Sequence, residues 1–269
     1  QMTDLPLDLR TDLDSKFPLL SVKEENILTS VDSKKALLTL NDNQKIESVL
    51  MDYHDWLTVC VSTQVGCPLS CKFCATGKMG FIRNLNAEEI VDQIIFWKHV
   101  LSPLSKGEAA KPRGIEKYVG RVAFMGMGEP FLNWDNLLIS LDIIKKYLNI
   151  GSRKISISTA GIVPKIVEFA DLNTEINLAI SLHSAIQSTR ETLMPMAENF
   201  PLPELLKALH YYTTKTRRQL FLEYAPIAEV NDTQKEINAL IKLLQSDKLF
   251  FLNLIPLNPV KEGLLSSLK

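Results

Sequence analysis

The sequence lacks any run of about eighteen consecutive apolar residues, so we expect no membrane span. Its first residues, QMTDLPLDLRTDLDSKF, are too acidic and too polar for a secretory signal, which favours the reducing cytosol as the compartment. With a formal net charge of −1, the chain also lacks the positive excess of a protein that binds nucleic acid over a broad surface. We therefore expect a soluble globular protein in which any nucleic-acid contact is local.

Cysteine is scarce, and all four cysteines of the 269-residue chain fall in one short window. Cys67, Cys71 and Cys74 have the spacing C-x3-C-x2-C, and Cys60 lies just upstream. In a reducing compartment, clustered cysteines favour metal binding over a disulfide. Three thiolates on one loop can ligate three irons of a [4Fe-4S] cluster and leave the fourth iron open. A closed zinc site with Cys60 as the fourth ligand remains the alternative.

The hydrophobic pattern predicts strands that alternate with helices. A helical lead over residues 1–30 and a β-hairpin over 36–51, around the turn Asn-Asp-Asn, come first. The strands that follow are predicted at 56–63, 119–125, 153–158, 175–182, 219–225 and 250–256. Amphipathic helices are predicted between them at 86–101, 134–148, 162–172, 202–215 and 232–245.

This alternation predicts βαβ units around a parallel sheet. A doubly wound open sheet fits the count, but a cysteine loop stands where such a fold has its glycine-rich fingerprint. A partial barrel fits better, because the unusual motifs all follow strands and the carboxyl ends of barrel strands carry the chemistry. These motifs are GCPLSCKFCATGKMG, GMGEP, STAG, SLHS and IPLNP.

With Phe73 between its last two cysteines, the loop resembles that of the radical S-adenosylmethionine (SAM) superfamily. CVSTQVGCPLSCKFCATGKMGFIRNL, FMGMGEP, SISTAGIVP, AISLHS and IPLNP together resemble the RlmN/Cfr family of RNA (adenine) methyltransferases, and its RlmN branch most closely. The resemblance implies an α/β fold, a partial (β/α)6 barrel with an N-terminal β-hairpin and a remnant of a helical accessory domain. The implied domains are an accessory segment and hairpin at 1–51, the barrel at 52–262 and a truncated tail at 263–269.

The resemblance also implies the cofactors and the residues that bind them. Cys67, Cys71 and Cys74 would hold a [4Fe-4S] cluster. The positions that match SAM contacts are Gly128, Glu129, Ser158, Ser181, Leu182, His183 and Asn258. Taken singly, several of these residues also fit structural roles: Glu129 as a solvated acid on a glycine turn, His183 as a satisfied residue at a strand end, and Asn258 as a turn former.

The implied reaction methylates an adenine carbon of 23S ribosomal RNA, at C2 for the RlmN branch and at C8 for the Cfr branch. The bacterial RlmN branch also acts on certain transfer RNAs. The adenine carbon is not nucleophilic, and the family carries the methyl group on a C-terminal cysteine. Cys60 matches the cysteine that resolves the protein–RNA adduct through a transient disulfide, and Glu47 matches the proton acceptor. No cysteine follows Cys74, so the methyl-carrying residue is missing, and we expect a chain truncated at both ends.

The expected partners are the RNA, contacted near Lys72, Lys78 or Arg83, and an electron donor such as flavodoxin or ferredoxin. We expect a monomer that has no membrane partner. Three alternatives stay open: methylation at C8, a radical SAM enzyme with a different substrate, and a zinc-stabilised RNA-binding module without catalysis.

Overall fold

The computed structural model describes residues 5–16, 20–101 and 118–257. Its strands are β1 Val22–Thr29, β2 Ser33–Leu40, β3 Lys45–Asp52, β4 Leu57–Cys60, β5 Gln64–Gly66, β6 Phe81–Asn84, β7 Val119–Phe124, β8 Ile155–Thr159, β9 Asn177–Ser181, β10 Leu220–Tyr224 and β11 Phe250–Leu254. Its helices are α1 Leu7–Lys16, α2 Ala75–Lys78, α3 Ala87–Leu101, α4 Trp134–Tyr147, α5 Val163–Asp171, α6 Gln187–Leu193, α7 Leu202–Thr216 and α8 Gln234–Leu244. Within these ranges, no helix has the length and apolarity needed to cross a membrane.

One nine-stranded sheet organises the chain, in the order β1-β2-β3-β4-β7-β8-β9-β10-β11. From β4 onward the neighbouring strands are parallel, and helices lie between successive strands in the chain, as the sequence predicts. Each new parallel strand adds to the same side, so the order never reverses. A doubly wound sheet needs such a reversal, and the strand order therefore excludes that alternative.

The predicted hairpin is confirmed, but the helical lead is wrong over much of its length. Helix α1 covers only Leu7–Lys16, and Val22–Thr29 forms strand β1, which pairs antiparallel with β2. A bulge between Glu24 and Asn26 shifts the register within this strand and breaks the alternation that would reveal it. Its charged, exposed residues are typical of a sheet edge, where water satisfies one side of the strand.

Strand β8 alternates between buried apolar residues and smaller polar residues. Ile155 and Ile157 are fully buried, whereas Ser156 and Ser158, which follow them, are half-buried. Successive side chains of a strand point to opposite faces, so β8 presents the two isoleucines to one side of the sheet and the two serines to the other. Burial of each aliphatic side chain stabilises the fold by about 1.5–3 kcal/mol, and the polar face is left for the site.

A separate two-stranded sheet, formed by β5 and β6, closes the loop that carries the cysteines. The two strands pair antiparallel, with Gly66 opposite Phe81, and the Cys67 amide donates to the carbonyl oxygen of Gly80 over 2.9 Å. Both Gly66 and Gly80 have a φ of +75°, in the left-handed region. A Cβ atom on Gly66 would lie 1.8 Å from the Gly80 carbonyl oxygen, whereas one on Gly80 would meet no atom within 4 Å.

These two glycines make a matched pair for testing the loop closure. Gly80→Ala should cost only the left-handed backbone penalty, about 1–2 kcal/mol. Gly66→Ala carries the same penalty and also forces β5 and β6 apart, so we expect it to lower the free energy of unfolding clearly more. Urea unfolding of the two variants measures both values, and equal losses would contradict this account of the loop.

Candidate active site

The cysteine loop runs from β5 to β6 and lines a cavity of about 380 Å³. Cys67, Cys71 and Cys74 are free thiols, and all three line this cavity. Burial raises the pKa of Cys67 to about 11 and that of Cys71 to about 12, and the neighbouring thiol of Cys74 adds to both shifts. The thiols of Cys67 and Cys71 are therefore protonated near neutral pH, and a metal that binds them must displace their protons.

The described residues give no support to a closed single-ion site. Nowhere in residues 5–16, 20–101 and 118–257 are three or more His, Cys, Asp or Glu side chains grouped closely enough to hold one metal ion. A cluster binds each thiolate to a different iron, so its ligands stand farther apart than those that share one zinc.

His183 packs against the cysteine loop. Its ring meets the Phe73 ring edge-on, with centroids 4.5 Å apart, and its Nδ1 accepts a hydrogen bond from the Ala225 amide over 3.1 Å. Burial lowers the pKa of His183 to about 3, so the imidazole is neutral and its proton lies on Nε2. Among the described residues that line the cavity, His183 is not included, whereas Phe73 is. The SAM contact predicted for His183 therefore stays a prediction, beside the alternative of a satisfied residue at a strand end.

Glu129, in the GMGEP loop after β7, is a buried carboxylate on the cavity wall and not a solvated acid. One oxygen accepts from the Phe131 amide over 3.0 Å and the other from the Ala160 amide over 2.7 Å. Burial raises the pKa of Glu129 to about 7, and these hydrogen bonds oppose the rise. Gly128 lines the same cavity, and a Cβ atom there would lie 2.5 Å from the Cβ of Gln64.

Ser158 and Ser181 meet at a second buried carboxylate, Glu223, which sequence reasoning missed. The Ser158 hydroxyl donates to Glu223 over 2.6 Å, and the Ser181 hydroxyl also bonds this carboxylate. Burial raises the pKa of Glu223, and both hydroxyls oppose the rise. All three residues line the cavity. The signal in the sequence was a glutamate inside the apolar strand LFLEY, where a charged residue needs a partner.

The remaining SAM-contact candidates are less informative. Leu182 is fully buried, and its amide donates to the carbonyl oxygen of Glu223 over 3.0 Å, so the side chain belongs to the core. Asn258 lies outside the described residues.

Cys60 and Glu47 lie on adjacent strands beside the cavity. Cys60 is the last residue of β4 and pairs with Val49 of β3, which lies two residues after Glu47. Because side chains alternate along a strand, those of Cys60 and Glu47 lie on the same face of the sheet. Burial raises the pKa of the Cys60 thiol to about 12. The Glu47 carboxylate is half-exposed and forms an ion pair with Lys35 at 2.9 Å. The cavity wall, as far as the structure describes it, includes neither side chain, although Met125, whose backbone bonds Cys60, belongs to it.

Of the three expected RNA contacts near the loop, Arg83 is engaged within the protein. Its guanidinium contacts Glu89 at 2.8 Å and Asp42 at 2.7 Å, and these hydrogen bonds raise its pKa. It therefore fixes β6 to α3 and to the N-terminal hairpin, and the positive charge that it offers to RNA is largely neutralised.

Comparison with known proteins shows the class of enzyme to which the fold belongs. Residues 61–237 match the family model described as the radical SAM superfamily. A solved radical SAM methyltransferase from Sphaerobacter thermophilus superposes with a TM-score of 0.88 at 36% identity, over 99% of this chain and 76% of that one. The fold is thus the partial barrel of a radical SAM enzyme, whose cofactors are a [4Fe-4S] cluster and SAM.

Two curated relatives identify the family within this superfamily. The chain is 42% identical over 263 residues to a probable dual-specificity RNA methyltransferase RlmN of Dictyoglomus turgidum, covering 97% of this chain and 72% of that protein. It is 46% identical over 268 residues to the protein of that description from Heliobacterium modesticaldum, covering 97% of this chain and 67% of that protein. The chain belongs to the RlmN family of radical SAM RNA methyltransferases.

The raised pKa of Glu129 predicts a pH-dependent stability in the absence of added iron and SAM. Between the ordinary glutamate pKa of 4.5 and the folded value of about 7, the folded chain keeps a proton that the unfolded chain releases. The stability contributed by protonated Glu129 is therefore present below the lower value and is lost as the pH rises through this window, by roughly 3 kcal/mol. Glu129→Gln should flatten the curve.

Urea unfolding at several pH values between these limits measures the effect as the difference between the two proteins. If Glu129→Gln keeps the same pH slope as the unaltered chain, Glu129 does not hold the proton.

Proposed function

We propose that this enzyme methylates C2 of an adenosine in 23S ribosomal RNA and in certain transfer RNAs, by way of a methyl group carried on a cysteine. The family membership supports the class of reaction, and the relatives' description as dual-specificity enzymes supports two classes of RNA. The observation that carries the proposal is that three thiols of one loop and the buried carboxylate of Glu129 line the same cavity.

The donor set fits the cluster that the family uses. Cys67, Cys71 and Cys74 are free, come from one loop and leave the cavity side of the loop open to a small molecule. When bound, the cluster supplies the electron that cleaves SAM and starts the radical chemistry. The loop contributes three thiolates, and the two-stranded sheet of β5 and β6 fixes the ends from which they project.

The cavity wall offers partners for the polar groups of SAM. Glu129 already accepts two amide hydrogen bonds, but an ionised carboxylate has about four acceptor positions and can also bind an ammonium group. A cation there would favour the ionised form and lower the raised pKa of Glu129. We assign the methionine end of SAM to Glu129 and Gly128, and its ribose to Ser158, Ser181 and Glu223.

A volume of about 380 Å³ is within the range of small-molecule sites, so the cavity can enclose a cofactor of this kind. The adenine end belongs to Asn258 in this proposal.

Two further residues serve the RNA step in this proposal. Cys60 is the thiol that resolves the protein–RNA adduct by forming a disulfide with the methyl-carrying cysteine. Glu47 is the proton acceptor; its carboxylate is half-exposed, so a substrate that approaches from solvent can reach it beside its ion pair with Lys35. The reducing equivalents come from a flavodoxin or ferredoxin, and a cytosolic location suits both the thiols and the RNA.

A set of matched cysteine variants tests the cluster assignment. Cys67→Ser, Cys71→Ser and Cys74→Ser should each lose most of the iron and sulfide after anaerobic reconstitution and should release no 5′-deoxyadenosine from SAM. Cys60→Ser is the control, because Cys60 is removed from the loop; it should keep about four irons per chain and cleave SAM. Cluster loss in Cys60→Ser, or tightly bound zinc in its place, would contradict the assignment.

The methylated product tests the position. The assay uses the RNA substrate and a form of this enzyme that contains the methyl-carrying cysteine. Nucleoside mass spectrometry of the RNA then separates 2-methyladenosine, which we expect, from 8-methyladenosine, which would favour the Cfr branch.

A further inference from the structure

Arg190 is a buried cation that the proposed reaction does not use. It lies on α6, its side chain is fully buried, and one nitrogen, Nη2, donates to the Ala160 carbonyl oxygen over 2.6 Å. Among the described residues, Nε and Nη1 have no hydrogen-bond partner, and no carboxylate forms an ion pair with this guanidinium. A buried charge with two unpaired donors is costly unless something negative completes its surroundings.

The surroundings of Arg190 indicate where that negative partner belongs. The carbonyl oxygen that Arg190 bonds belongs to Ala160, which lines the same cavity as the three cysteines of the loop. Helix α6 is also tied directly to the cysteine loop, because the Lys72 amide donates to the Leu193 carbonyl oxygen over 3.0 Å. Arg190 itself is not among the described residues that line the cavity.

A purely structural role does not account for an arginine here. An aliphatic side chain of similar length would fill the same volume without burying unpaired donors, and such replacements are often neutral or stabilising. Arginine, by contrast, stays charged when it is buried. Burial lowers the pKa of Arg190 only to about 10, well above neutral pH.

We propose that Arg190 is a positioning residue for the cluster: its buried positive charge and two unpaired donors, held next to the cysteine loop by helix α6, would favour the reduced state of a bound cluster. This inference rests on the proposed cluster ligands. Reduction adds one electron to a group that already carries three thiolates, and a fixed positive charge stabilises the state with more negative charge. Hydrogen bonds to the sulfurs and the local charge are among the factors that set the potential of such clusters.

The test is a redox titration of the reconstituted protein, followed by electron paramagnetic resonance of the reduced cluster without SAM. At the midpoint potential of the unaltered protein, Arg190→Met should lower the ratio of reduced to oxidised cluster roughly tenfold, which is about 59 mV for a one-electron couple. Arg190→Gln, which keeps donors without the charge, should fall in the same direction. Arg190→Lys, which keeps the charge, should remain closest to the unaltered protein.

Arg218→Met is the matched control. Arg218 also has a buried Nε without a partner among the described residues, and it donates to Asn177 over 2.8 Å, but it precedes β10 and so lies at the other end of the strands. Its replacement removes an equal charge and should leave the potential unchanged.

The outcomes separate this inference from the proposed function. If the unaltered protein binds no cluster, the proposed function fails and the inference fails with it. If it binds the cluster and the potentials of Arg190→Met and Arg190→Gln equal its own, only the inference is overturned. Loss of iron in all three variants, the lysine included, would also overturn it, since the role would then be scaffolding. Loss of iron in Arg190→Met and Arg190→Gln, but not in Arg190→Lys, would support the inference, because the positive charge would then be the property that the cluster requires.

Discussion

The two amide hydrogen bonds that the buried carboxylate of Glu129 accepts are the contact on which the site depends. The bond from the Ala160 amide joins the loop after β8 to the loop after β7, and the bond from the Phe131 amide closes a turn within the loop after β7. The Glu129 amide also donates to the side-chain oxygen of Gln64 over 2.8 Å, and Arg190 donates to the Ala160 carbonyl oxygen. The backbone and carboxylate of Glu129, together with Ala160, thus connect the strand that leads into the cysteine loop with helix α6.

This arrangement places ionisable groups where burial raises the free energy of their charged forms. Glu129 and Glu223 both have raised pKa values, the thiols of Cys67 and Cys71 are held protonated, and Arg190 keeps a charge that nothing described neutralises. Each of these groups would be better accommodated with an oppositely charged partner in place. A metal cluster and a cationic cosubstrate would supply such partners, so their binding would offset the cost that burial imposes on these groups.

Much of the fold could be predicted because the parallel strands are short apolar runs between amphipathic helices, a pattern that periodicity detects. The place of the motifs could also be predicted, since the carboxyl ends of parallel strands meet at one edge. Strand β1 could not, because a bulge and its charged edge position conceal the alternation. Arg190 was missed because its importance comes from burial and from a partner distant in the chain, Ala160, which local patterns do not reveal. Glu223 did have a local signal, a glutamate within an apolar strand, but its partner Ser158 is also distant in the chain.

Mössbauer spectroscopy of the reconstituted protein, with and without SAM, tests the central claim most directly, because it reports each iron of the cluster separately. The account predicts a cluster in which one iron lacks a cysteine ligand, and a change in the signal of that iron alone when SAM enters the cavity beside Glu129. A cluster whose irons are all equivalent and insensitive to SAM, or a protein that binds zinc and no iron, would contradict it.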